Sequence, residues 1–444
     1  MFENCKIIIL GMARSGYEAA KILASRNNEV ILNDKNNDQD ENHVKELESL
    51  GVKVILGSHP IDLIDKSIDY VIKNPGIKDS HEMIVRAKEL GIPVINEVEM
   101  SYRLLPKDVT IVGITGSNGK TTTTSLVYEI LKSAKLPVLL AGNIGFPLSS
   151  ILNNIKSGDI LLMEISIQQL CNFDKFKTNI SVLTNIFDAH LDFVGNKENY
   201  IKIKKRIFNY HTESDYAILN YNNETVVNNT SDIASHKEYF SINNKNALCH
   251  VEGNNIVYDN KVLISTNDIL LKGNHNYENV MAAIMVAKRL NVSDEVIVDV
   301  LKKFKSVEHR IEYVREINGV KVYNDSKATN VKATEIALSS FNEPTILLLG
   351  GLDRGHSFDD LTPHMKNVKL IVSYGQTKDR IKEYACSIGI NCIVTENLKN
   401  ATDIAMENSV SGDVILLSPA CASWDQFKDF EERGRLFKEY INNK

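Results

Sequence analysis

Absent from the 444 residues is any apolar run approaching the ~20 residues that cross a bilayer, so no membrane partner is expected. Absent too are the basic segment, long apolar core and cleavage site of a signal peptide. Met1-Phe2-Glu3-Asn4-Cys5-Lys6 leads straight into Ile7-Ile8-Ile9-Leu10. The six cysteines, at 5, 171, 249, 386, 392 and 421, form no C-x-x-C pair, which excludes a metal knuckle and fits reduced thiols in the cytoplasm better than a disulfide framework. Positive charge is in short supply. Lys plus Arg total 51 against 57 Asp plus Glu, a net charge of -6, so the broad basic footprint of a nucleic-acid binder is missing and no nucleic-acid partner is expected. There is no solenoid repeat and no low-complexity tract. A 43% hydrophobic, 24% charged composition excludes collagen-like, coiled-coil and disordered classes.

What is present is an alternation of short apolar runs with helix-length amphipathic segments. Lys6–Leu10, Glu29–Leu32, Tyr70–Ile72, Val109–Ile114, Ile160–Met163 and Ile180–Leu183 read as strands. So do Ala217–Leu219, Lys321–Tyr323, Thr345–Leu349, Leu370–Ser373 and Val414–Leu417. Unbroken apolar strands separated by helices imply βαβ units and parallel sheets covered on both faces. Thr121 to Lys135 places Leu126, Val127, Ile130, Leu131 and Ala134 at helical spacing before Pro137 ends it. The Asn-rich stretch Asn222 to Ser265 predicts short strands at one edge of a middle domain. At ~150 residues per domain the length suits about three domains; we place α/β domains at 1–98, 99–306 and 307–444, with Asn96–Lys107 and Lys305–Glu308 as the boundaries.

The strongest local signal is Thr115-Gly116-Ser117-Asn118-Gly119-Lys120-Thr121-Thr122, between a β-branched strand and an amphipathic helix. Backbone N–H groups of such a turn surround phosphate oxygens, a lysine there meets the β/γ phosphates, and the following hydroxyl suits Mg²⁺. The literal G-x-x-x-x-G-K-[ST] pattern fails at Ile114, so the arrangement is a tighter variant. Glu164, at the end of Ile160–Met163, reads either as a Mg²⁺ ligand or as a solvated strand-end carboxylate. Thr184 to Asp192, with Asp188 and His190, leaves another strand at what should be the same sheet edge. In Gly273-Asn274-His275-Asn276-Tyr277-Glu278-Asn279 the polar groups suit a purine or phosphate, but taken alone asparagine at a helix start reads first as a cap. Three further polar loops, 324–330, 350–355 and 418–427, should share an edge in the last domain, where Lys327 and Arg354 read either as anion contacts or as surface charges. The N-terminal Gly11-Met12-Ala13-Arg14-Ser15-Gly16 puts Ala13 where a dinucleotide fingerprint needs glycine. This disfavours NAD and leaves room for another diphosphate.

Taken in order, T-G-S-N-G-K-T-T, Gly142-Asn143-Ile144-Gly145, Glu164-Ile165-Ser166, Asp188–Asp192, Gly273–Asn279, Asn324–Asn330, L-L-G-G-L-D-R-G and S-P-A-C-A-S-W-D-Q-F-K-D-F-E-E-R-G resemble the ATP-dependent Mur ligases of bacterial peptidoglycan synthesis, nearly end to end. The resemblance implies a Rossmann-like N-terminal domain, a central P-loop ATP-binding α/β domain and a Rossmann-like C-terminal domain. It implies a cytoplasmic, monomeric ligase that joins D-glutamate to UDP-N-acetylmuramoyl-L-alanine through an acyl phosphate, with ATP and two Mg²⁺ ions. Carried over by motif, the catalytic set is Lys120, Glu164, His190 and Lys204. Thr121, Glu164, His190 and a carbamylated Lys204 hold metal, Lys204 being favoured over Lys202 and Lys205 by register. ATP contacts are Gly116, Ser117, Asn118, Gly119, Lys120, Thr121, Thr122, His275, Asn276, Asn279, Arg310, Asp325 and Lys327. Gly11, Arg14, Ser15, Asp34 and Asn143 would line the UDP-sugar channel, and Arg354, Ser423 and Phe430 the D-glutamate site, while Thr329, counted with the substrate-binding residues, would contact ATP or couple the closing domain to it. Two positions depart from the family pattern: Ile167 replaces a second serine after Ser166, and Arg354 stands where some relatives have lysine.

Overall fold

Runs such as Lys6-Ile7-Ile8-Ile9-Leu10 need apolar cover above and below, and the fold supplies it three times. The computed structural model describes residues 2–187, 191–271, 273–304 and 307–444. The chain divides into two compact units, Met1–Lys303 and Phe304–Lys444, the first holding two sheets and the second one.

The first sheet runs β1 (Lys6–Leu10), β2 (Glu29–Asp34), β3 (Lys53–Leu56), β4 (Tyr70–Lys73) and β5 (Val94–Asn96), in the order β3-β2-β1-β4-β5 and wholly parallel. Its two faces carry separate apolar clusters, one around Ile7, Ile9 and Leu32 and one around Ile8, Leu10 and Val71. Strand order reverses between β1 and β4. The carboxyl ends there form the crevice in which such sheets take ligands.

The second sheet is built from β6 (Thr110–Thr115), β7 (Val138–Gly142), β8 (Ile160–Glu164), β9 (Ile180–Leu183), β10 (Tyr216–Asn220), β11 (His236–Ser241), β12 (Cys249–Glu252), β13 (Asn255–Tyr258) and β14 (Lys261–Ser265), ordered β14-β13-β12-β11-β10-β9-β6-β8-β7. The Asn-rich stretch thus supplies an edge, with β12, β13 and β14 antiparallel. β6 lies between β8 and β9, so three expected site strands are immediate neighbours and parallel. The segment expected as a domain boundary is no loose linker. It holds a helix, Glu97–Tyr102, capped by Asn96, and Glu99 accepts from the backbone N–H groups of Asp174, Lys175 and Phe176 at 3.0 Å each. Asn96 Nδ2 donates to the Gln169 carbonyl at 2.5 Å, a bond between the two sheets' domains within the first unit.

The second unit carries β15 (Glu312–Ile317), β16 (Val320–Asn324), β17 (Thr345–Gly350), β18 (Val368–Tyr374), β19 (Cys392–Val394) and β20 (Val414–Leu417), ordered β15-β16-β20-β17-β18-β19. β16, β20 and β17 are parallel neighbours, so the loops that follow them leave one edge together. The short strands β3, β5, β7, β15 and β19 were not among the runs read from sequence. Each is brief or partly exposed, and its pairing rather than its pattern makes it a strand.

Candidate functional site

β6 ends at Thr115, residues 116–119 turn, and the helix Lys120–Ser133 follows, with Lys120 as its first residue. Gly119 has φ 81°, and a Cβ there would strike the Asn279 side-chain oxygen; one on Gly116 would strike the Thr184 hydroxyl. Glycine is therefore required at both. The turn is laced to the end of β9: Asn118 N donates to Asn185 Oδ1 at 2.8 Å and Thr184 Oγ1 donates to the Asn118 carbonyl at 2.6 Å. Ser117 Oγ accepts from Phe187 N at 2.8 Å and hydrogen-bonds the Tyr200 hydroxyl at 2.9 Å. Tyr200 carried no assignment from sequence; its place in the motif-bearing helix with Lys204 was the available signal.

Two ammonium groups converge on this turn. Lys120 Nζ donates to the carbonyls of Gly116 and Ser117, both at 2.9 Å. Lys204 Nζ donates to Thr115 Oγ1 and the Gly116 carbonyl, both at 3.0 Å. Lys204 is 1% exposed, and that burial holds its amine well below the usual lysine range; the Lys120 charge pushes the same way and Glu164 opposes. Lys202 on the same helix is exposed, and Lys205 pairs with Asp232 at 2.9 Å. Glu164 is also 1% exposed. Its Oε1 accepts from Asn143 Nδ2 at 2.6 Å, while Oε2 is buried with no hydrogen-bond partner among the described residues. A buried carboxylate oxygen left without a donor beside a threonine-headed phosphate turn is an oxygen ligand suited to a hard divalent cation. Thr121, buried at the second position of the helix, is the hydroxyl-bearing residue expected there. Asp188 and His190 lie outside the described residues.

The helix Asn274–Arg289 corrects the capping reading: its N-cap is Gly273, with no side-chain cap bond. Asn279 instead faces the phosphate turn, accepting from Thr123 Oγ1 at 3.3 Å and donating to Asn276 Oδ1 at 3.5 Å. His275 is exposed on the first turn.

At the reversal point of the first sheet, Met12 N donates to Asp34 Oδ2 at 2.7 Å, and Asn74 Nδ2 donates to Ser15 Oγ at 3.3 Å. Gly11, with φ 94°, allows Asn74 to pack against it. The Arg14 guanidinium lies 5.6 Å from the Phe146 ring, beside the turn that carries Asn143. The expected UDP-sugar residues thus gather along one edge of the first unit.

In the second unit Asp325 accepts from Ser418 Oγ at 2.7 Å and from Ile311 N at 3.1 Å. Burial pushes its carboxyl up to about 7, opposed by the Ser418 hydrogen bond and the Arg310 charge. Lys327 lies 5.5 Å from the Phe430 ring and Arg354 4.9 Å from the Trp424 ring. Ser423 is buried. Arg433, given no role by the sequence, is wholly buried and donates to Ser326 Oγ at 2.9 Å, Ser326 O at 2.8 Å and Cys421 O at 3.1 Å, fastening two of the three ligand loops together. A cavity of about 890 Å³ is lined by Thr329, Asn330, Glu335, Arg354, His356 and Asp360, among others.

Comparison with known proteins agrees with this geometry. The profile of the Mur ligase MurD-like N-terminal domain matches residues 5–96, that of the Mur ligase middle domain 114–287, and that of the Mur ligase glutamate ligase domain 309–421. The UDP-N-acetylmuramoylalanine–D-glutamate ligase of Geobacillus kaustophilus is 46% identical across 98% of this chain and 97% of its own length; that of Bacillus cereus (strain Q1) is 44% identical across 99% and 98%. Among solved structures, Thermotoga maritima UDP-N-acetylmuramate-alanine ligase MurC aligns with a TM-score of 0.60 at 18% identity, covering 99% of this chain and 100% of that one. MurF ligase from the same organism, in complex with ADP, gives 0.59 at 17%, covering 99% and 96%; these two likenesses speak to the fold alone. With three profiles in the expected order and near-complete coverage by relatives well above 30% identity, the chain belongs to the Mur ligase family.

Proposed function

We propose that this chain joins D-glutamate to UDP-N-acetylmuramoyl-L-alanine at the expense of ATP, through an acyl phosphate, in peptidoglycan precursor synthesis. One observation carries the phosphoryl-transfer half: a buried carboxylate oxygen without a donor, on the strand beside a phosphate turn onto which two lysines converge. The acceptor and amino acid follow from the full-length relatives.

A carboxylate is a poor electrophile and repels ATP. Ser117 N and Asn118 N are taken by Asn185, so the remaining N–H groups of the turn and the helix start would receive the phosphates, and Lys120 would leave its carbonyl partners for the β/γ oxygens, offsetting charge on the γ-phosphoryl group. Mg²⁺, when bound, supplies Lewis-acid neutralisation of the phosphate oxygens; Thr121 and Glu164 would hold one ion, and Glu164, His190 and a carbamylated Lys204 a second. A lysine whose charged form burial disfavours suits carbamylation, which would replace the ammonium donor with an anionic oxygen ligand. His275, Asn276, Asn279, Arg310, Asp325 and Lys327 would contact ATP. Gly11, Arg14, Ser15, Asp34 and Asn143 would bind the nucleotide sugar, Arg354, Ser423 and Phe430 D-glutamate, and Thr329 would contact ATP or couple the closing domain to it. We place the domains at 1–98, 99–306 and 307–444 and the working state as a cytoplasmic monomer.

The test is an amino-acid panel with ATP, Mg²⁺ and UDP-N-acetylmuramoyl-L-alanine carrying ¹⁸O in its carboxylate. ADP release should require both the acceptor and D-glutamate, and one label per turnover should appear in the liberated phosphate. ADP release independent of amino acid would mean a nucleotide switch instead.

A further inference from the structure

The chain has one tryptophan, and it sits 63% exposed on the loop after β20. An indole left that open normally covers something, and here the partner is a cation: the Arg354 guanidinium lies 4.9 Å from the Trp424 ring centroid. Arg354 is itself exposed on the loop after β17. Among the described residues it makes no hydrogen bond and no ion pair. The neighbouring acid does not neutralise it, because Asp353 Oδ1 is taken by Arg380 and by the backbone N–H of Gly355, the latter at 2.8 Å.

The two loops are joined just before this contact. Leu352 N donates to the Ala422 carbonyl at 2.9 Å, and Gly351 approaches that carbonyl so closely that a Cβ would strike it. Arg354 and Trp424 each lie two residues beyond that bridge, so the backbone fixes their separation. Arg354 also lines the cavity of about 890 Å³. The result is an arginine without an ion pair among the described residues, at the wall of a cavity that Glu335 and Asp360 also line, with one face against an indole. A guanidinium is weakly hydrated and stacks well on tryptophan, and its planar fork takes a carboxylate bidentately once the plane is set.

We propose that Trp424 is a positioning residue for amino-acid selection: its ring sets the plane and rotamer of Arg354 so that the guanidinium edge is ready for a carboxylate of the incoming acidic amino acid. The proposal rests on the reading of Arg354 as a D-glutamate contact and adds the element that holds it. Trp424 acts through Arg354 and takes no part in phosphoryl transfer.

Because Trp424 is the sole indole, its emission reports the site directly. Adding D-glutamate to the wild-type protein with ATP analogue and acceptor should change that emission saturably, and Arg354→Gln should abolish the response. In steady state, Trp424→Ala should raise the KM for D-glutamate by about tenfold, with kcat held within about threefold and the KM for ATP unmoved. Trp424→Phe, which keeps a ring face, should recover most of the loss. The unfolding midpoint of Trp424→Ala should match wild type, as the side chain is exposed. An unchanged KM in Trp424→Ala, or a Phe variant as impaired as the Ala variant, would overturn the proposal. If wild type instead couples a different amino acid, the functional reading falls, and the Ala-to-Phe ratio of KM for that amino acid still decides whether Trp424 positions Arg354.

Discussion

Lys120 and Lys204 direct their ammonium donors at backbone carbonyls of one turn, and Glu164 beside them is 1% exposed. In the second unit Lys327 and Arg354 lie over aromatic rings, and the ring under Arg354 is 63% exposed. On the function proposed above, the contrast follows from what each region would recognise. A triphosphate always presents the same charge pattern, so a rigid, desolvated cradle placed in advance serves it, at the cost of crowding like charges. An amino-acid site has to discriminate, and a solvent-facing cation oriented by a ring can be tuned by one substitution without disturbing the core.

The most drastic way to break the comparison is on the buried side. Lys120→Ala should lower kcat/KM by about a thousandfold or more while leaving the unfolding midpoint close to wild type; full activity would remove Lys120 from the phosphate site. Next comes the triplet on the helix Lys197–Lys205. Lys204→Ala should cost about a hundredfold more activity than Lys202→Ala or Lys205→Ala, since Lys202 is exposed and Lys205 only pairs with Asp232 at the surface. The reverse ranking in a turnover assay would show that the buried amine is structural.

The smallest effect concerns a buried acid in the second unit. Asp325, raised to about 7 by burial against ~4 in an unfolded chain, keeps its proton more tightly when folded. Its contribution to stability is therefore present below about pH 4 and lost as pH rises toward 7. Asp325→Asn should be more stable than wild type by about 1–3 kcal/mol at pH 8, with the gap shrinking toward pH 5, in urea titrations at both values. A gap that widens toward low pH would mean the carboxyl is not held protonated by burial.

Much of the phosphate turn was legible because its determinants are consecutive: two glycines, a lysine and a threonine between an apolar strand and a helix. The parallel pairing of β6 with its neighbours was implied by unbroken apolar runs, while their order came from the fold. The edge strands β3, β5, β7, β15 and β19 were not, since three to six residues carry too little pattern to outweigh neighbouring loops. The Gly273–Asn279 segment misled for a related reason. Asparagine at a helix start usually caps it, yet packing against the helix Lys120–Ser133 turns Asn279 toward Gly119 and Thr123. Arg433 was visible only as part of a motif; its burial depends on Ser326, 107 residues earlier in the chain, as well as on Cys421, 12 residues earlier.

Composition, periodicity and ordered motifs were sufficient for the α/β class, the phosphate turn and the family, because each is written in residues close along the chain. Which of three lysines faces Gly116, which oxygen of Glu164 is left without a donor, and which ring lies under Arg354 were decided only by folding. Those properties arise from desolvation and from distances between segments that the chain separates and the sheets bring together.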